Sequence, residues 1–299
     1  MKLGIILHGA KNNRHAQRRE IEKVFFDWEL QIRTTEYHKH AEKLARNLCD
    51  EGCDVLLLCG GDGSLNQAAN GVFNSERPET PLAIWPSGTG NDFVKTILVP
   101  NSFQELRKSI EAKQYKAIDL PCMEWDGKKR FFLNVTDLGL GGCVAYDMRR
   151  SNRRLGSFLT YQWLIVKNLF RFKKRLIHFE LDGKKHRVRA MNFVVANAKY
   201  FGAGLGISPE SDATDELLEV IVIGDLNLFE YFYFVPKVKK CKKLSYHKIQ
   251  YFSAKNIGIE TEVPMPIDMD GEFVGFSPMF ISLQHKINVV VRNDREVLK

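Results

Sequence analysis

Over its first 120 residues the chain alternates short apolar runs with stretches of helical period, and this alternation constrains the fold more than any other feature. "LGIILH", "QIRTTEY", "CDVLLLCGG" and "PLAIWPSG" read as strands. Between and after them, "HAQRREIEKVFFDWEL", "HAEKLARNLCDEG", "SLNQAANGVFN" and "SFQELRKSIEAK" read as helices. Ile21, Val24, Phe25 and Trp28 stand three and four apart in the first of these, and Gly52 stops the second. Such an order predicts a parallel sheet covered by helices on both faces. After "YKAIDLP" the pattern changes. From Cys122 onward come strand-like runs: "KRFFLNVTDLG", "RLIHFELDG", "HRVRAMNFVVANA", "LLEVIVIG", "SYHKIQYFSA", "NIGIETE" and "PMFISLQ". Helical insertions are expected around residues 157–172 and 228–239, within a largely antiparallel sandwich. The expected division is therefore an α/β domain over 1–121 and a β domain over 122–284. The tail from about 285 to 299, "HKINVVVR" included, fits either half.

A chain of 299 residues suits two such domains. No apolar run approaches the ~18 residues of a membrane span. The apolar run Leu3 to Leu7 is too short for a signal-peptide core and has no small-residue cleavage site after it, so a soluble cytoplasmic protein is expected. The six cysteines (Cys49, Cys53, Cys59, Cys122, Cys143, Cys241) include no CxxC pair, which speaks for reduced thiols rather than zinc. The net charge of +8 is clustered in "RRSNRR", "RFKKR" and "KVKKCKK". Charge runs are ordinarily solvated faces; the alternative is attraction to an anionic membrane or to phosphates. With no zinc-finger, helix-turn-helix or RNP pattern, a nucleic-acid partner is not expected.

In a parallel sheet, ligands collect at the carboxyl ends of the strands. Two glycine-rich turns fall there: "GGDGSLN", Gly60 to Asn66, and "PSGTGNDF", Pro86 to Phe93. Glycines let the backbone approach a phosphate, and the helix that follows offers free N–H groups and a positive dipole end. Asp62, Ser64, Asn66, Thr89, Asn91 and Asp92 supply polar side chains. Neither turn matches GxxxxGK[ST], and no GxGxxG follows the first strand. A carboxylate such as Asp62 would repel a nucleotide unless a cation came between, so Mg²⁺ facing phosphate is the arrangement that accommodates it.

"GGDGSLNQAANG" followed by "PSGTGNDF" resembles the diacylglycerol kinase catalytic-domain family, which includes diacylglycerol and sphingosine-type lipid kinases. The first turn alone is shared with NAD kinases; the pair in this order is more specific. "FFLNVTDLGLGG", "YFGAGLGISPESDATDELLEV" and "IDMDGEFVG" extend the resemblance over nearly the whole chain. It implies an α/β plus all-β architecture, with a Rossmann-like nucleotide-binding domain and a C-terminal β-sandwich, and reaction between them. It further implies that Thr35, Gly60, Gly61, Asp62, Gly63, Ser64, Leu65, Asn66, Gly88 and Thr89 hold ATP. Asp62, Asp92 and Asp119 would form an acidic network around catalytic Mg²⁺. Asp212, Asp215 and the Leu217 carbonyl would form a structural Mg²⁺ site. Glu272 or Asp270 would be the general base, which a poorly nucleophilic lipid hydroxyl requires. On residues alone, "DMDGE" is equally a hairpin turn around Gly271; Glu272 is the preferred base.

The chain departs from the family in three places. Its first loop reads "HGAKNN", His8 to Asn13, without the usual proline, and His8 is read as structural. The metal segment has Glu216 where glycine is usual, and "TTEYHKHAEKLAR" lacks a glycine before its helix. His38 and His40 are expected on the surface there, and Trp85 in the core. The expected activity is ATP- and Mg²⁺-dependent phosphorylation of a lipid hydroxyl, diacylglycerol-like, at a membrane surface. The alternatives are an NAD kinase, or an inactive nucleotide- or lipid-binding homologue. Helix "NLFEYFYFVPK" is expected to pack on the sandwich, with transient peripheral membrane docking as the alternative. A homodimer would suit the family.

Overall fold

The computed structural model describes residues 1–10, 14–151, 157–202 and 204–292. Lys11 and the two asparagines after it in the first loop, and Arg153 and Arg154 of the first basic cluster, lie outside the described residues, as does the tail from 293. The chain forms two compact units: residues 1–118 with the chain from 286 onward, and residues 119–285.

The first unit follows the alternation: β1 (Lys2–Leu7), α1 (Arg14–Val24), β2 (Glu29–Thr34), α2 (His40–Asp50), β3 (Val55–Gly60), α3 (Asp62–Phe73), β4 (Leu82–Pro86) and α4 (Phe103–Glu111). β1 pairs in parallel with β2 and β3, and β3 with β4. The chain's last strand returns to place Val289 beside Leu82, also in parallel. Strand periodicity sends Leu3, Ile5 and Leu7 to one face, where they pack with Ile21, Phe25, Phe103, Leu106 and Ile110 from α1 and α4. α2 and α3 pack closely with each other: a Cβ on Gly71 would lie 2.3 Å from the Glu42 carbonyl oxygen. Trp85 stacks on Phe103 with ring centroids 3.9 Å apart, so it is part of this core.

In the second unit, β5 (Tyr115–Trp125) enters from the first. It is followed by β6 (Lys128–Phe131), β7 (Val135–Gly139), α5 (Leu140–Arg150), α6 (Ser157–Arg171), β8 (Arg175–Leu181), β9 (Lys184–Ala190) and β10 (Asn192–Ala196). Then come β11 (Tyr200–Phe201), β12 (Leu205–Gly206), β13 (Leu218–Ile223), α7 (Leu228–Lys239), β14 (Ile249–Ala254), β15 (Asn256–Thr261), β16 (Pro266–Met269), β17 (Glu272–Phe276) and β18 (Met279–Val290). One sheet runs β14-β13-β10-β7-β16-β17, antiparallel throughout. Opposite it, β15 pairs antiparallel with β8 and β18, and β8 with β9. Phe193, Val195, Val220 and Ile267 of the first sheet share a core with Ile177, Phe179, Ile257 and Ile281 of the second, which makes the sandwich.

Two elements differ from the sequence reading. "KRFFLNVTDLG" is not one strand: β6 and β7 are separated at 132–134, where the backbone N–H groups of Leu133 and Asn134 turn to a side chain, that of Asp270. α5 is a helix that the strand reading does not contain. Its glycines look like a loop in sequence but are demanded by contact, since a Cβ on Gly142 would lie 1.9 Å from the Pro266 carbonyl oxygen.

Candidate active site

The two glycine turns of the first unit are built as one clasp. Gly61 precedes α3 in extended conformation, and Gly88 stands against it: a Cβ on Gly88 would lie 2.5 Å from Gly61 Cα. Ser87 N–H donates to the Gly60 carbonyl at 2.8 Å. Asn91, in left-handed backbone with φ +49, accepts from Gly88 N–H at 2.9 Å and donates back to the Gly88 carbonyl at 3.2 Å. Asp62 closes the clasp by accepting Phe93 N–H on Oδ1 at 3.1 Å. The first N–H groups of α3 have no intrahelical acceptor, and Gly63 above them is exposed, with nothing within 4 Å of where its Cβ would be. An exposed glycine over a helix N-terminus is the geometry of an anion cradle. Thr89 is exposed and Ser64 half-buried, whereas Leu65 and Asn66 are buried.

Thr35 lies at the end of β2, where its hydroxyl accepts Gly9 N–H at 3.0 Å and its own N–H donates to Leu7 O at 2.9 Å. Gly9, at the start of the altered first loop, is thereby fastened, and His8 accepts Ala10 N–H on Nδ1 at 3.3 Å. His40 accepts Glu36 N–H at the start of α2 and stacks on Tyr37, both at the surface.

The acids assigned to catalytic Mg²⁺ divide between the units. Asp62 and Asp92 share the clasp. Asp92 is buried and paired with Lys95 Nζ at 2.6 Å, while Asp62 Oδ2 accepts no hydrogen bond among the described residues. Asp119 opens the second unit, fully buried, and accepts Glu216 N–H on Oδ2 at 2.8 Å. Glu216 has φ +63, the backbone for which the family's glycine is suited, and its carboxylate reaches Lys255 Nζ at 3.1 Å. Asp212 Oδ1 holds the Thr214 N–H and hydroxyl, and Asp215 Oδ1 holds Leu217 N–H at 3.0 Å, as Asx turns do. Among the described residues no three His, Cys, Asp or Glu side chains converge to hold a metal. No closed protein cage for a cation is thus formed among the described residues, and Asp62 Oδ2 is a carboxylate oxygen left without a hydrogen-bond donor among them.

The hairpin between β16 and β17 separates the two candidate bases. Asp270 and Gly271 are its two turn residues, with φ +49 and +84, as a type I′ turn requires. The Asp270 carboxylate accepts N–H groups of Leu133, Asn134 and Val135 at 3.0, 2.9 and 3.1 Å. A carboxylate that accepts three backbone N–H groups is fixed in place, which suits a structural post. Glu272 is exposed. Two residues before Asp270, Asp268 is buried directly opposite Asp137 of β7. Burial lifts both carboxyls, Asp137 to about 7, and the charges of Asp137, Asp270 and Glu272 add to the rise at Asp268. Neither member of this buried pair stands out in the sequence, because only the β7–β16 register brings them together.

Residues 3–123 match the diacylglycerol kinase catalytic domain, and residues 135–291 match the YegS C-terminal NAD kinase beta sandwich-like domain. The chain belongs to the diacylglycerol kinase catalytic-domain family and is a lipid kinase. A curated diacylglycerol kinase of Staphylococcus aureus is 26% identical over 269 residues, covering 89% of this chain and 84% of that protein. A crystal structure of a diacylglycerol kinase from Bacillus anthracis Sterne superposes with a TM-score of 0.73 at 22% identity, over 98% of this chain and 97% of that one. Yeast NADH kinase in complex with NADH has a TM-score of 0.54 at 11% identity, over 100% and 85% of the two chains. These two structural likenesses concern the fold alone.

Proposed function

We propose that the protein transfers the γ-phosphate of ATP to the hydroxyl of a membrane lipid, with the donor on the first unit and the acceptor on the second. The observation that carries this reading is the clasp of the two glycine turns, with Gly63 open above the α3 N-terminus and Asp62 beside it. Its backbone donors bind and orient the phosphates. Asp62 Oδ2 would hold Mg²⁺ arriving with the nucleotide, with Asp92 and Asp119 in supporting positions; the ion supplies charge neutralisation at the transferring phosphoryl group. Glu272 takes the proton of the lipid hydroxyl as its oxygen bonds to the γ-phosphorus and the bond to ADP breaks. Asp270 holds the turn that presents Glu272. In the second unit, Asp212, Asp215 and the Leu217 carbonyl would hold a structural Mg²⁺, each aspartate keeping one oxygen outside its Asx turn among the described residues.

Peripheral contact with a membrane belongs to the same reading. α7 packs on the sandwich through Phe234 and Val238, as expected, and exposes Phe229, Phe232 and Tyr233. α6 exposes Leu159, Trp163 and Phe170, and Lys239 at the end of α7 and Lys240, Lys242 and Lys243 after it are exposed. Exposed aromatics beside lysines fit the interface of an anionic bilayer. Among the described residues, no helix is long and apolar enough to cross a membrane. The function is tested by incubating the protein with labelled ATP, Mg²⁺ and a panel of lipid alcohols in mixed micelles. A labelled lipid supports it, and no labelled lipid despite nucleotide binding overturns it. Flotation with anionic vesicles tests docking, which fails if the protein stays unbound.

A further inference from the structure

Asp137 of β7 and Asp268 of β16 stand opposite each other in the antiparallel register, at the middle of three paired positions. Side chains so placed share one face of the sheet, with Cβ atoms ~5 Å apart. α5 covers that face. A Cβ on Gly141 would lie 2.2 Å from Asp137 Oδ2, and one on Gly142 would lie 1.9 Å from the Pro266 carbonyl oxygen. Tyr146 carries the cover of α5 onto β17, with its ring centroid 4.9 Å from that of Phe273 and 6.1 Å from that of Phe276. Both carboxyls are buried beneath it.

Neither oxygen of Asp137 accepts a hydrogen bond, and Asp268 Oδ1 accepts none. The groups that favour ionisation are the Gly142 N–H and Asn192 side chain at Asp137 and the Gly271 N–H of the turn at Asp268, and burial outweighs them. The charges facing the pair from its own hairpin are acidic: Asp270 and Glu272 both act on Asp268. α5 brings the Cys143 thiol, lifted to about 11 by burial and by the charges of Asp147 and Asp137, with Arg175 of β8 opposing. Arg149 of α5 lies over the Phe273 ring at 5.9 Å, and α6 and α7 bring Tyr161 and Tyr231.

Two adjacent carboxyls in a low-dielectric interior do not both ionise without heavy repulsion, so one proton is retained between them. Asp137 is lifted to about 7, so that proton is held below this pH and lost above it. Its loss sets two like charges against each other across the middle rung of the short β7–β16 ladder. That ladder seats the turn in which Asp270 accepts the N–H groups of residues 133–135 and from which Glu272 starts β17.

We propose that Asp137 and Asp268 are a positioning pair: a proton shared between them keeps the β16–β17 hairpin seated on β7 and α5, and its loss unseats the hairpin that carries Glu272. The consequence for turnover rests on the lipid-kinase reading; the seating of the hairpin does not.

The test is hydrogen exchange of the whole protein, read by mass spectrometry on the peptide spanning 266–276 at pH 6 and pH 9 and corrected for the intrinsic rate at each. It is run where circular dichroism shows the protein folded at both pH values. Wild-type protection should fall about tenfold or more, and Asp137→Asn, in which a second charge cannot form, should keep its protection. Phosphoryl transfer to a lipid alcohol is followed over the same range. The wild-type kcat should fall about tenfold with KM for ATP unaltered, and Asp137→Asn should lack that alkaline fall. Equal wild-type protection at the two pH values overturns the pair without any variant, and so does a fall that persists in Asp137→Asn. Protection that falls while kcat holds also overturns it, because the pair would then stabilise without positioning. A labelled lipid with pH-independent protection removes the pair and spares the kinase. Protection lost in the wild type alone, with no labelled lipid, upholds the pair and removes the kinase.

Discussion

Replacing Asp137 by asparagine removes an ionisation that the fold opposes. Burial raises this carboxyl from its ordinary value of 3.8 to about 7, with only the Gly142 N–H and Asn192 opposing the rise and the Asp268 carboxyl across the strand pair. Because the folded value lies above the unfolded one, the carboxyl costs no stability below pH ~4; stability is lost as pH rises from there through 7. At about 1.4 kcal/mol per pH unit the full loss is about 4 kcal/mol, of which about 3 kcal/mol falls between pH 5 and 8. Asparagine fills the same space and does not titrate. The wild type should therefore lose Tm between pH 5 and 8 relative to Asp137→Asn, by roughly 6–12 °C at the 2–4 °C per kcal/mol of a unit this size. Thermal unfolding followed by near-ultraviolet circular dichroism at the two pH values measures it. Parallel curves for the two proteins, offset equally at both pH values, would refute the reasoning, because the carboxyl would then not be titrating in that range.

Other perturbations separate support from chemistry. Asp270→Ala strands three backbone N–H groups and should cost about 2–3 kcal/mol, read as a lower denaturant midpoint. Gly88→Ala drives a methyl group into Gly61 and Asn91 and should weaken nucleotide affinity at least tenfold by fluorescence titration, with the second unit's unfolding unchanged. Glu216→Gly relieves a left-handed backbone and should gain about 0.5–1 kcal/mol of stability, although it gives up an exposed ion pair with Lys255. Added Mg²⁺ should raise the Tm of the wild type and not that of Asp215→Asn if the turn at Asp212 to Leu217 binds the ion.

Most of the first unit can be read from its residues, because its helices carry apolar stripes and β3 and β4 end in Gly60 and Pro86. The clasp was legible as two turns; their union was not, since it depends on Asn91 bonding within one turn and on Asp62 reaching Phe93 in the other. α5 escapes the pattern because the glycines that make it look like loop serve close contacts, Gly141 with Asp137 of the preceding strand and Gly142 with Pro266, far away in the chain. Choosing between Asp270 and Glu272 was likewise beyond local pattern: the donors that occupy Asp270 come from residues 133–135. Asp137 sits within a run read as an ordinary strand, and only its register with Asp268 shows that two acids share the interior. The aromatic run of α7 divides in a way its composition does not show, with Phe234 packed on the sandwich and Phe229, Phe232 and Tyr233 exposed.

The central claim is that Glu272 takes the proton from a lipid hydroxyl while Asp270 only holds the turn. It is tested most directly by steady-state phosphoryl transfer from ATP–Mg²⁺ to a lipid alcohol in the wild type and Glu272→Gln, each checked for an unchanged melting curve. Loss of a general base predicts a fall in kcat of about 10²–10⁴ with KM for ATP unaltered. Glu272→Gln turning over at the wild-type rate would contradict it.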